Sequence, residues 1–565
     1  MRNRKLQVWL PLLLSLCMVA GMFVGYRIKG NMPDNGIFFV EKERPVQEVL
    51  DLIKRKYVDN ENTDSLGTEA IQTILSHLDP HSVYLPAVQL KRVNEDLEGQ
   101  FFGIGIEFNI INDTINVVNV LQKGPSEKAG LQIGDQLIKV EDSLVAGKQI
   151  TSSALRKLLM GDAGQKVSIS IFRNDSIKQF TIARGPIPLY SLDAAYMATD
   201  TIGYIRLNKF SETTYREFML SLEKLRKQGM KSLILDLRDN GGGILTQATN
   251  IADEFLSGDK LITYTEGAHS PKKEYRCSKE GEFETGKLIV LANEGTASAS
   301  EVLIGALQDW DRAIIAGRRT FGKGLVQEQY QLSDGAGLRL TVARYFTPLG
   351  RSIQKSYQKG VADYDHDLIN RLRNGEMTSF DSIKHTGQKE YTSGLGKILY
   401  DGGGITPDVF VPFDTSSLSK NVMNALMKGT LNRFVYLNFL KHRNTFKTYT
   451  SPKIFDDKYE VDNSTLNDLK LYAQGDSIYF NLNNKEEKSL LQKQVKVLTA
   501  REIWNTEGFY EVNNKHDKMV ERAVELMKPG VQVNSDSTMN KGAYLRGVDT
   551  TFSKKEVEKR NPKKN

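Results

Sequence analysis

The sequence predicts an α/β fold, because short apolar runs alternate with amphipathic helical runs through its middle third. The apolar runs cover residues 232–238, 288–292 and 314–317, and the helical runs cover 211–228 and 244–256. This alternation is typical of a mainly parallel sheet covered by helices. With 565 residues the chain has room for about three or four domains. We therefore expect an α/β core at residues 186–412, with further domains on either side.

The N-terminus has the pattern of a membrane segment. Residues Val8 to Tyr26 contain no charge over 19 positions, which as a helix would extend about 28 Å, close to the thickness of a bilayer's hydrocarbon core. Three basic residues precede this segment and two follow it, which favours a cytoplasmic N-terminus. We expect residues 1–30 to form that N-terminus and a single-pass inner-membrane anchor, with the bulk of the chain on the exported, periplasmic side of the cell envelope. The alternative is a signal peptide cleaved near Val19-Ala20-Gly21, with secretion to the periplasm.

Charge is concentrated at the two ends of the chain. The net charge is +7, of which residues 1–30 contribute +5 and residues 553–565 contribute +4, so the remainder carries −2. A nearly neutral body argues against a nucleic-acid partner, and residues 551–565 are predicted to be a basic, disordered tail. Because Cys17 lies in the membrane segment, the exported part has only Cys277 and no intrachain disulfide.

Residues 31–98 are predicted to be a helical N-terminal segment. Apolar residues recur at helical spacing from Pro45 to Tyr57. His77 and His81 have the i, i+4 spacing of a metal-binding pair, but Pro80 breaks the helix that such a pair needs. We predict a structural role for this segment and no metal site.

A serine at the start of a predicted helix is the main candidate for chemistry. Ser298 lies in the small-residue run Thr296-Ala-Ser-Ala-Ser300, where backbone N–H groups are free to stabilise developing negative charge. Lys323, flanked by Gly322 and Gly324, follows the next apolar strand. Burial would favour the neutral form of this lysine and allow it to act as a base. The stretch contains no histidine, which favours a Ser-Lys pair over Ser-His-Asp.

Two groups of backbone donors are candidates for an oxyanion hole. One is the N–H of Ala299, next to the serine. The apolar run 232–238 is followed by Gly241-Gly242-Gly243, and glycines allow a backbone N–H to approach a substrate closely. The second donor is therefore expected from Gly242 or Gly243.

A second module precedes this site. Phe101-Phe-Gly103-Ile104-Gly105-Ile106 leads into alternating apolar residues, and Ala129-Gly-Leu-Gln-Ile-Gly-Asp135 follows downstream. A helical stretch at 152–160 and strand-like runs at 167–172 and 180–182 complete residues 99–185. The pattern resembles a PDZ domain, which captures a peptide carboxylate in a glycine loop and adds the peptide as a strand. The resemblance implies that Gly103, Ile104, Gly105 and Ile106 bind the carboxylate of a peptide.

Together with the PDZ-like module, three motifs in a fixed order identify a family resemblance. They are Asp236-Leu-Arg-Asp-Asn-Gly-Gly-Gly243, Thr296-Ala-Ser-Ala-Ser-Glu301 and Phe321-Gly-Lys-Gly324. From about Val46 to Asp408 the chain closely resembles the carboxy-terminal processing peptidases, also called tail-specific proteases. The resemblance implies a crotonase-like or Clp-protease-like α/β core with an inserted PDZ domain.

The resemblance also implies roles for individual residues. Ser298 corresponds to the nucleophile, Lys323 to the general base and Gln327 to the residue that orients the lysine. The separation of four residues puts Lys323 and Gln327 on one face of either a strand or a helix. Ser300 lies two residues from Ser298 in the predicted first turn, so only one of the two can face the lysine. No cofactor and no metal is implied.

The implied function is that of a serine endopeptidase with a Ser-Lys dyad. Its PDZ domain would bind unfolded or tagged protein substrates by their C-termini. Two other classes remain open: a crotonase-like enzyme acting on acyl-thioesters, and a non-catalytic PDZ scaffold that binds peptides. Neither needs both Ser298 and Lys323.

Residues 413–550 form a C-terminal extension that the resemblance does not cover. Amphipathic stretches near Val422 to Phe439, Leu490 to Trp504 and Met519 to Met527 predict that it is mainly helical. Packing on the core, formation of a homo-oligomer and binding of an adaptor are all open as its role.

Overall fold

The computed structural model of the protein describes residues 9, 11, 14–23, 45–385, 388–414 and 419–528. The chain divides into two compact units, residues 1–75 and 76–565. The predicted membrane segment at 8–26 lies partly outside the described residues. The residues of this segment that are described, Trp9, Pro11 and 14–23, are helical. Within the described part of the chain, no helix has the length and apolar character needed to cross a bilayer. The predicted tail at 551–565 lies outside the described residues.

The first unit contains α1 (Pro45–Lys56) and most of α2 (Thr63–Ser76). The side chain of Asn62 begins α2, because its Oδ1 accepts hydrogen bonds from the N–H groups of Asp64 and Ser65, each at 3.1 Å. A Cβ added at Gly67 would lie 3.6 Å from Leu50, so the two helices pack closely there. The predicted helical N-terminal segment is confirmed.

The second unit begins with β1 (Val83–Leu85) and α3 (Ala87–Glu98), followed by a small β-rich domain. The elements of this domain are β2 (Gln100–Gly103), β3 (Ile106–Ile111), β4 (Thr114–Val120), α4 (Pro125–Ala129), β5 (Gln136–Val140), β6 (Ser143–Leu144), α5 (Ser152–Leu159), β7 (Lys166–Arg173), β8 (Ser176–Ala183) and β9 (Gly185–Pro188). The main sheet has the order β3-β4-β5-β7-β8, with β6 paired to β5, so β3 lies at an edge. Leu155 and Leu159 of α5 pack against Val167 and Ile169 of β7 in a separate hydrophobic core.

The α/β core follows directly. Its elements are β10 (Leu192–Met197), β11 (Ile202–Leu207), α6 (Thr214–Lys227), β12 (Ser232–Asp236), α7 (Leu245–Asp253), β13 (Leu261–Gly267), β14 (Ser270–Arg276), β15 (Leu288–Ala292), α8 (Ala299–Asp309), β16 (Ile314–Gly317), β17 (Leu325–Gln331), β18 (Gly337–Phe346), α9 (Val361–Asp365), α10 (Asp367–Arg373), a 3₁₀ turn (Phe380–Ser382), β19 (Glu390–Thr392), β20 (Ile398–Tyr400) and β21 (Val409–Phe410).

The central sheet has six strands in the order β10-β11-β12-β15-β16-β21. Only β10 is antiparallel to its neighbour. Strands such as β15 are buried along their whole length, as expected where both faces of a parallel sheet are covered. Helices α6, α7 and α8 pack on one face, where Leu233 and Leu235 lie. The predicted α/β fold class is confirmed.

A second, antiparallel sheet contributes Ile262 and Tyr345 to the same hydrophobic core. Its strand order is β1-β18-β13-β14, with β17 also paired to β18. It brings two parts of the chain that are distant in sequence together: β17, which carries Gln327, and β1, which follows residues 79–82.

The C-terminal extension is helical, as predicted. It contains α11 (Lys420–Met427), α12 (Thr430–Lys441), α13 (Arg443–Phe446), α14 (Pro452–Lys458), α15 (Asn463–Gln474), α16 (Lys485–Asn514) and α17 (Lys518–Met527). Helix α16 is interrupted by non-helical backbone at Trp504 and Asn505. The extension packs on both the small β-rich domain and the core: Tyr436 donates a hydrogen bond to the carbonyl of Val117, and α17 packs against the central sheet. Of the roles left open by the sequence, packing on the core is the one that the structure contains.

Candidate active site

Ser298 lies between β15 and α8, immediately before the first helical residue, Ala299. Its φ of 58° is in the left-handed region, a strained backbone conformation for a residue other than glycine that is often found at functional sites. The N–H of Ala299 donates to no described residue. An unpaired N–H at a helix start next to the half-buried Ser298 is suited to stabilising an anion.

Ser300 takes no part in this arrangement. Its buried hydroxyl donates to the carbonyl of Asn240 at 3.0 Å, so it is turned toward the glycine segment. Asn240 also accepts from the N–H of Ala297 at 3.0 Å and donates through its side chain to the carbonyl of Leu207 at 3.0 Å. These bonds fix the glycine segment against the serine segment.

Gly242 lies directly against Ser298. A Cβ at this position would be 2.8 Å from Ser298 Cβ and 2.9 Å from the nitrogen of Ala299, so the position requires glycine. The N–H of Gly242 is already used, because it donates to Asn240 Oδ1 at 2.9 Å. The N–H of Gly243, at φ 140°, donates to no described residue.

The carboxylate of Glu301 links the serine and lysine segments. Its Oε2 accepts from the N–H of Ser298 at 2.9 Å and from the N–H of Lys323 at 2.8 Å. Its Oε1 accepts from the N–H of Gly322 at 2.8 Å and from the hydroxyl of Thr320 at 2.5 Å. Burial raises the pKa of Glu301, and these four hydrogen bonds oppose that change. The side chain is fully buried, so these hydrogen bonds are shielded from water.

Tyr345 on β18 joins the carbonyl groups of the serine and lysine segments, as Glu301 joins their N–H groups. Its buried hydroxyl lies 3.0 Å from the carbonyl oxygen of Ser298 and also contacts the carbonyl oxygen of Lys323. The backbones of the two segments are therefore held together by one acceptor side chain and one donor side chain.

Lys323 lies in the loop before β17, and Gln327 lies on that strand. The amine Nζ donates to Gln327 Oε1 at 3.0 Å and makes no hydrogen bond to Ser298 Oγ. The pairing of β17 with β18 shifts register between Val326 and Gln327, a local irregularity that redirects the side chains. Of the two local structures that the spacing allows, Gln327 is in a strand, and Lys323 lies two residues before that strand begins.

Residues 79–82 support Gln327 from the other side. The amide of Gln327 donates through Nε2 to the carbonyl oxygen of His81. Asp79 holds this segment in place, because it accepts from the N–H groups of His81 at 2.8 Å and Ser82 at 2.9 Å, and from Thr341 at 3.0 Å. The structural role predicted for this segment is therefore made specific: it positions the partner of Lys323.

Burial lowers the pKa of Lys323 below the ordinary value of 10.5. The charge of Arg339 acts in the same direction, and the carboxylates of Asp79 and Glu301 oppose it. Burial and the charge of Lys323 also lower the pKa of His81, to about 4. His81 is therefore neutral near pH 7, and the neutral form of Lys323 is more accessible than that of a solvated lysine.

The predicted carboxylate-binding loop joins β2 and β3 of the small domain. Gly103 ends β2, Ile104 and Gly105 lie between the strands, and Ile106 begins β3. The N–H groups of Ile104 and Gly105 donate to no described residue. Within the described chain, β3 pairs only with β4, so its other edge is unpaired.

Comparison with known proteins matches three parts of the chain to family models. Residues 201–363 match the model of peptidase family S41, residues 103–183 match a PDZ domain, and residues 422–505 match a family of unknown function. A probable CtpA-like serine protease of Staphylococcus epidermidis is 30% identical over 433 residues, covering 75% of this chain and 84% of that protein. The chain belongs to peptidase family S41. It is a serine peptidase of the carboxy-terminal processing type with a PDZ domain, which excludes the acyl-thioester enzyme and the non-catalytic scaffold.

Two further relatives of this S41 peptidase carry names of the same kind. The carboxy-terminal processing protease CtpB of Bacillus subtilis is 33% identical over 321 residues, covering 56% of this chain and 66% of that protein. A solved structure of a photosystem II D1 C-terminal processing protease is 26% identical, with a TM-score of 0.33, and covers 67% of this chain and 88% of that one.

Three site residues of the S41 peptidase were missed by sequence reasoning. Glu301 lies three residues after Ser298, just before an apolar run. A serine and a glutamate at this spacing form the capping-box pattern of a helix start, which is the signal that could have revealed Glu301. His81 belongs to a segment predicted to be structural, but nothing in the local sequence indicated that its carbonyl holds Gln327. Tyr345 gave no local signal, because its contacts join β18 to two loops.

Proposed function

We propose that Ser298 is the nucleophile and Lys323 the general base of this peptidase, with Gln327 orienting the lysine. The observation that carries the proposal is the hydrogen bonding of both segments to Glu301, which fixes the serine and lysine backbones relative to each other. The lowered pKa of Lys323 supports a neutral amine as the base.

In the proposed reaction, Lys323 Nζ accepts the proton of the Ser298 hydroxyl as Oγ attacks the carbonyl carbon of a peptide bond. The C–N bond then breaks, and Lys323 returns the proton to the leaving amine. Water attacks the resulting ester with Lys323 again as the base, which releases the acid and restores Ser298. In this cycle Lys323 Nζ would keep donating to Gln327 Oε1 and would accept a hydrogen bond from the serine hydroxyl through its lone pair.

We assign the oxyanion hole to the N–H groups of Ala299 and Gly243. Neither group donates to another described residue, whereas the N–H of Gly242 is held by Asn240. Gly242 would instead allow the close approach of the glycine segment to Ser298. Two fixed donors at this point would stabilise the negative oxygen of the tetrahedral intermediate.

We propose that the PDZ domain binds the C-termini of protein substrates. The unpaired N–H groups of Ile104 and Gly105 support a carboxylate site at residues 103–106, and the open edge of β3 supports addition of the substrate as a strand. Substrates would be unfolded or tagged chains with a free α-carboxylate.

We further propose that the peptidase works in the cell envelope. The support is the uncharged stretch at 8–26 and the distribution of basic residues around it, which favour export of the remainder as an anchored or a secreted protein.

A cleavage assay tests the proposed function. The full chain, purified in detergent, is incubated with an unfolded protein that ends in an apolar tail, alongside Ser298→Ala and Lys323→Ala. We expect cleavage by the wild type only, and slower cleavage when the substrate's C-terminus is amidated. Equal cleavage by the Ser298→Ala variant would contradict the assigned nucleophile, and equal rates on both substrates would contradict the assigned role of the PDZ domain.

A further inference from the structure

The second face of the central sheet is covered by the C-terminal extension. Five residues of α17 are buried against the strand residues on this face: Met519, Val520, Ala523, Leu526 and Met527. The strand residues include Ile234 of β12 and Ile289 of β15, which alternate with the residues that face α6–α8. Since a parallel sheet needs cover on both faces, α17 completes the hydrophobic core of the peptidase domain.

A group of charged residues lies at the end of β12, where this face meets the active site. Asp236 is fully buried and accepts from Arg238 Nε at 2.9 Å and Nη2 at 2.6 Å. It also pairs with Arg206 Nη1 at 3.0 Å and accepts from the hydroxyl of Tyr204 at 2.6 Å. Burial alone would raise the pKa of Asp236, but the two guanidinium groups hold it below its ordinary value. One buried carboxylate is thus shared by two arginines.

The extension supplies a second carboxylate to Arg238. Oδ2 of Asp517 accepts from Arg238 Nη1 at 2.8 Å. The other oxygen, Oδ1, accepts from the N–H groups of Met519 and Val520, each at 3.0 Å, so Asp517 also caps α17. The ring of Tyr510, from α16, lies 4.7 Å from the guanidinium carbon of Arg206. Both arginines are therefore partnered by side chains of the extension.

Arg238 immediately precedes the glycine segment. The carbonyl of Arg238 accepts from Arg206 Nη2 at 2.9 Å, and the next residue, Asp239, has a φ of 60°. Asp239 is tied to the serine loop by Asn293, which accepts from its N–H and donates to its side chain, each at 2.8 Å. A shift of Arg238 would therefore move the glycine segment relative to Ser298.

We propose that Asp517 is a positioning residue, which holds Arg238 so that residues 239–243 keep their place against Ser298, and that the C-terminal extension is thus part of the catalytic unit. The inference rests on the proposed function, in which Gly243 and Ser298 act on the same peptide bond. Asp517 touches neither the substrate nor the reacting atoms, so its removal affects the rate of turnover rather than the binding of substrate.

The test compares three full-length variants. Asp517→Asn keeps an oxygen for the cap of α17 but removes the charge that holds Arg238. Glu521→Gln makes the same change on the exposed side of α17. Val520→Ala opens a cavity under α17 without touching Arg238, which reproduces a loss of stability alone. Values of kcat and KM for a tail-bearing substrate are measured together with Tm.

We expect kcat of Asp517→Asn to fall about tenfold with KM unchanged. Displacement of a reacting group by a full ångström can lower the rate about hundredfold, and we expect a smaller displacement of the glycine segment here. Glu521→Gln should match the wild type, and Val520→Ala should lower Tm but keep kcat. A wild-type kcat in Asp517→Asn would overturn the inference. An equal loss of kcat in Val520→Ala would also overturn it, because lost stability alone would then explain the effect. A failure of Asp517→Asn to fold, with Val520→Ala folded, would overturn it as well.

Ser298→Ala separates this inference from the proposed function. If Ser298→Ala still cleaves the substrate, the proposed nucleophile is wrong, and the positioning role of Asp517 falls with it. If Ser298→Ala is inactive and Asp517→Asn retains full kcat, the proposed function stands and only the role of Asp517 is rejected.

Discussion

The protease site and the PDZ loop both leave backbone N–H groups without a described acceptor, but the protease site in addition binds other N–H groups to a buried carboxylate. In the protease site, the N–H groups of Ser298, Gly322 and Lys323 all donate to the buried carboxylate of Glu301. In the PDZ loop, the N–H groups of Ile104 and Gly105 donate to no described residue. The first arrangement fixes side chains for chemistry before substrate arrives, and the second leaves donors for a ligand. Changes in the first should therefore alter kcat, and changes in the second should alter KM.

Loss of the nucleophile is expected to have the largest effect. In Ser298→Ala, kcat should fall by about a millionfold, to the background rate, because the covalent route is removed. The Tm should be retained, since the main-chain bonds of Ser298 to Glu301 do not depend on its hydroxyl. Stopped-time assays with a fluorogenic peptide and a thermal melt measure both quantities, and a residual rate well above background would assign the chemistry elsewhere.

Glu301→Gln tests whether the hydrogen bonds to Glu301 fix the site. Whichever oxygen of Glu301 the amide group of glutamine replaces, that group would face two of the four donors that now bond to Glu301. At least one of these is a buried N–H that would be left unpaired, at a cost of about 1–3 kcal/mol. We expect kcat to fall about hundredfold through displacement of the serine and lysine segments, with a lower Tm.

A matched control for Glu301→Gln lies in the same loop region. Glu294 is half-buried and pairs with Arg318 at 2.8 Å. Glu294→Gln therefore also removes a carboxylate charge, but from a side chain with no described bond to the N–H of Ser298 or Lys323. It should lower Tm and keep kcat within about twofold of the wild type. Equal losses of kcat in the two variants would indicate that Glu301 contributes only to stability.

The pH dependence should report the protonation of Lys323. Because the base must be neutral, kcat/KM should rise with pH, and because burial lowers the pKa of Lys323, the rise should be centred below 10.5. Burial lowers the pKa of His81 to about 4, so His81→Asn should leave this rise where it is. A rise that shifts or disappears in His81→Asn would transfer the role of base away from Lys323.

The PDZ loop should give the smallest effect, confined to substrate binding. A Cβ at Gly105 would lie 3.1 Å from Ile187, so Gly105→Ala disturbs the loop, whereas Gly147, at a similar positive φ, has open space around it. Gly105→Ala should raise KM about tenfold for a substrate with a free C-terminus, with kcat unchanged, and Gly147→Ala should not. An equal KM for Gly105→Ala and the wild type would argue against carboxylate capture at this loop.

Local patterns predicted local features well. The start of a helix at Ser298, the strand-helix alternation of the core and the amphipathic stretches of the extension all follow from residue types within one or two turns. The spacing of Lys323 and Gln327 left a strand and a helix equally open. The strand is selected by its pairing with β18, which is a long-range contact.

The features that the sequence did not reveal join distant segments. The carbonyl of His81 holds Gln327 across 246 residues, and Asp517 reaches Arg238 across 279. Periodicity describes which face of an element is apolar, but not which other element covers it. For the same reason the amphipathic stretch at 519–527 was predicted as a helix, without its place on the central sheet.

The most direct test of the account is covalent labelling of the active serine. The full-length peptidase is treated with an alkyl fluorophosphonate, and the rate and position of the label are read by mass spectrometry of the proteolytic peptides. We predict a single label on Ser298, formed much more slowly in Lys323→Ala and absent from Ser298→Ala. A label on another residue, or an unchanged rate in Lys323→Ala, would contradict the Ser-Lys assignment.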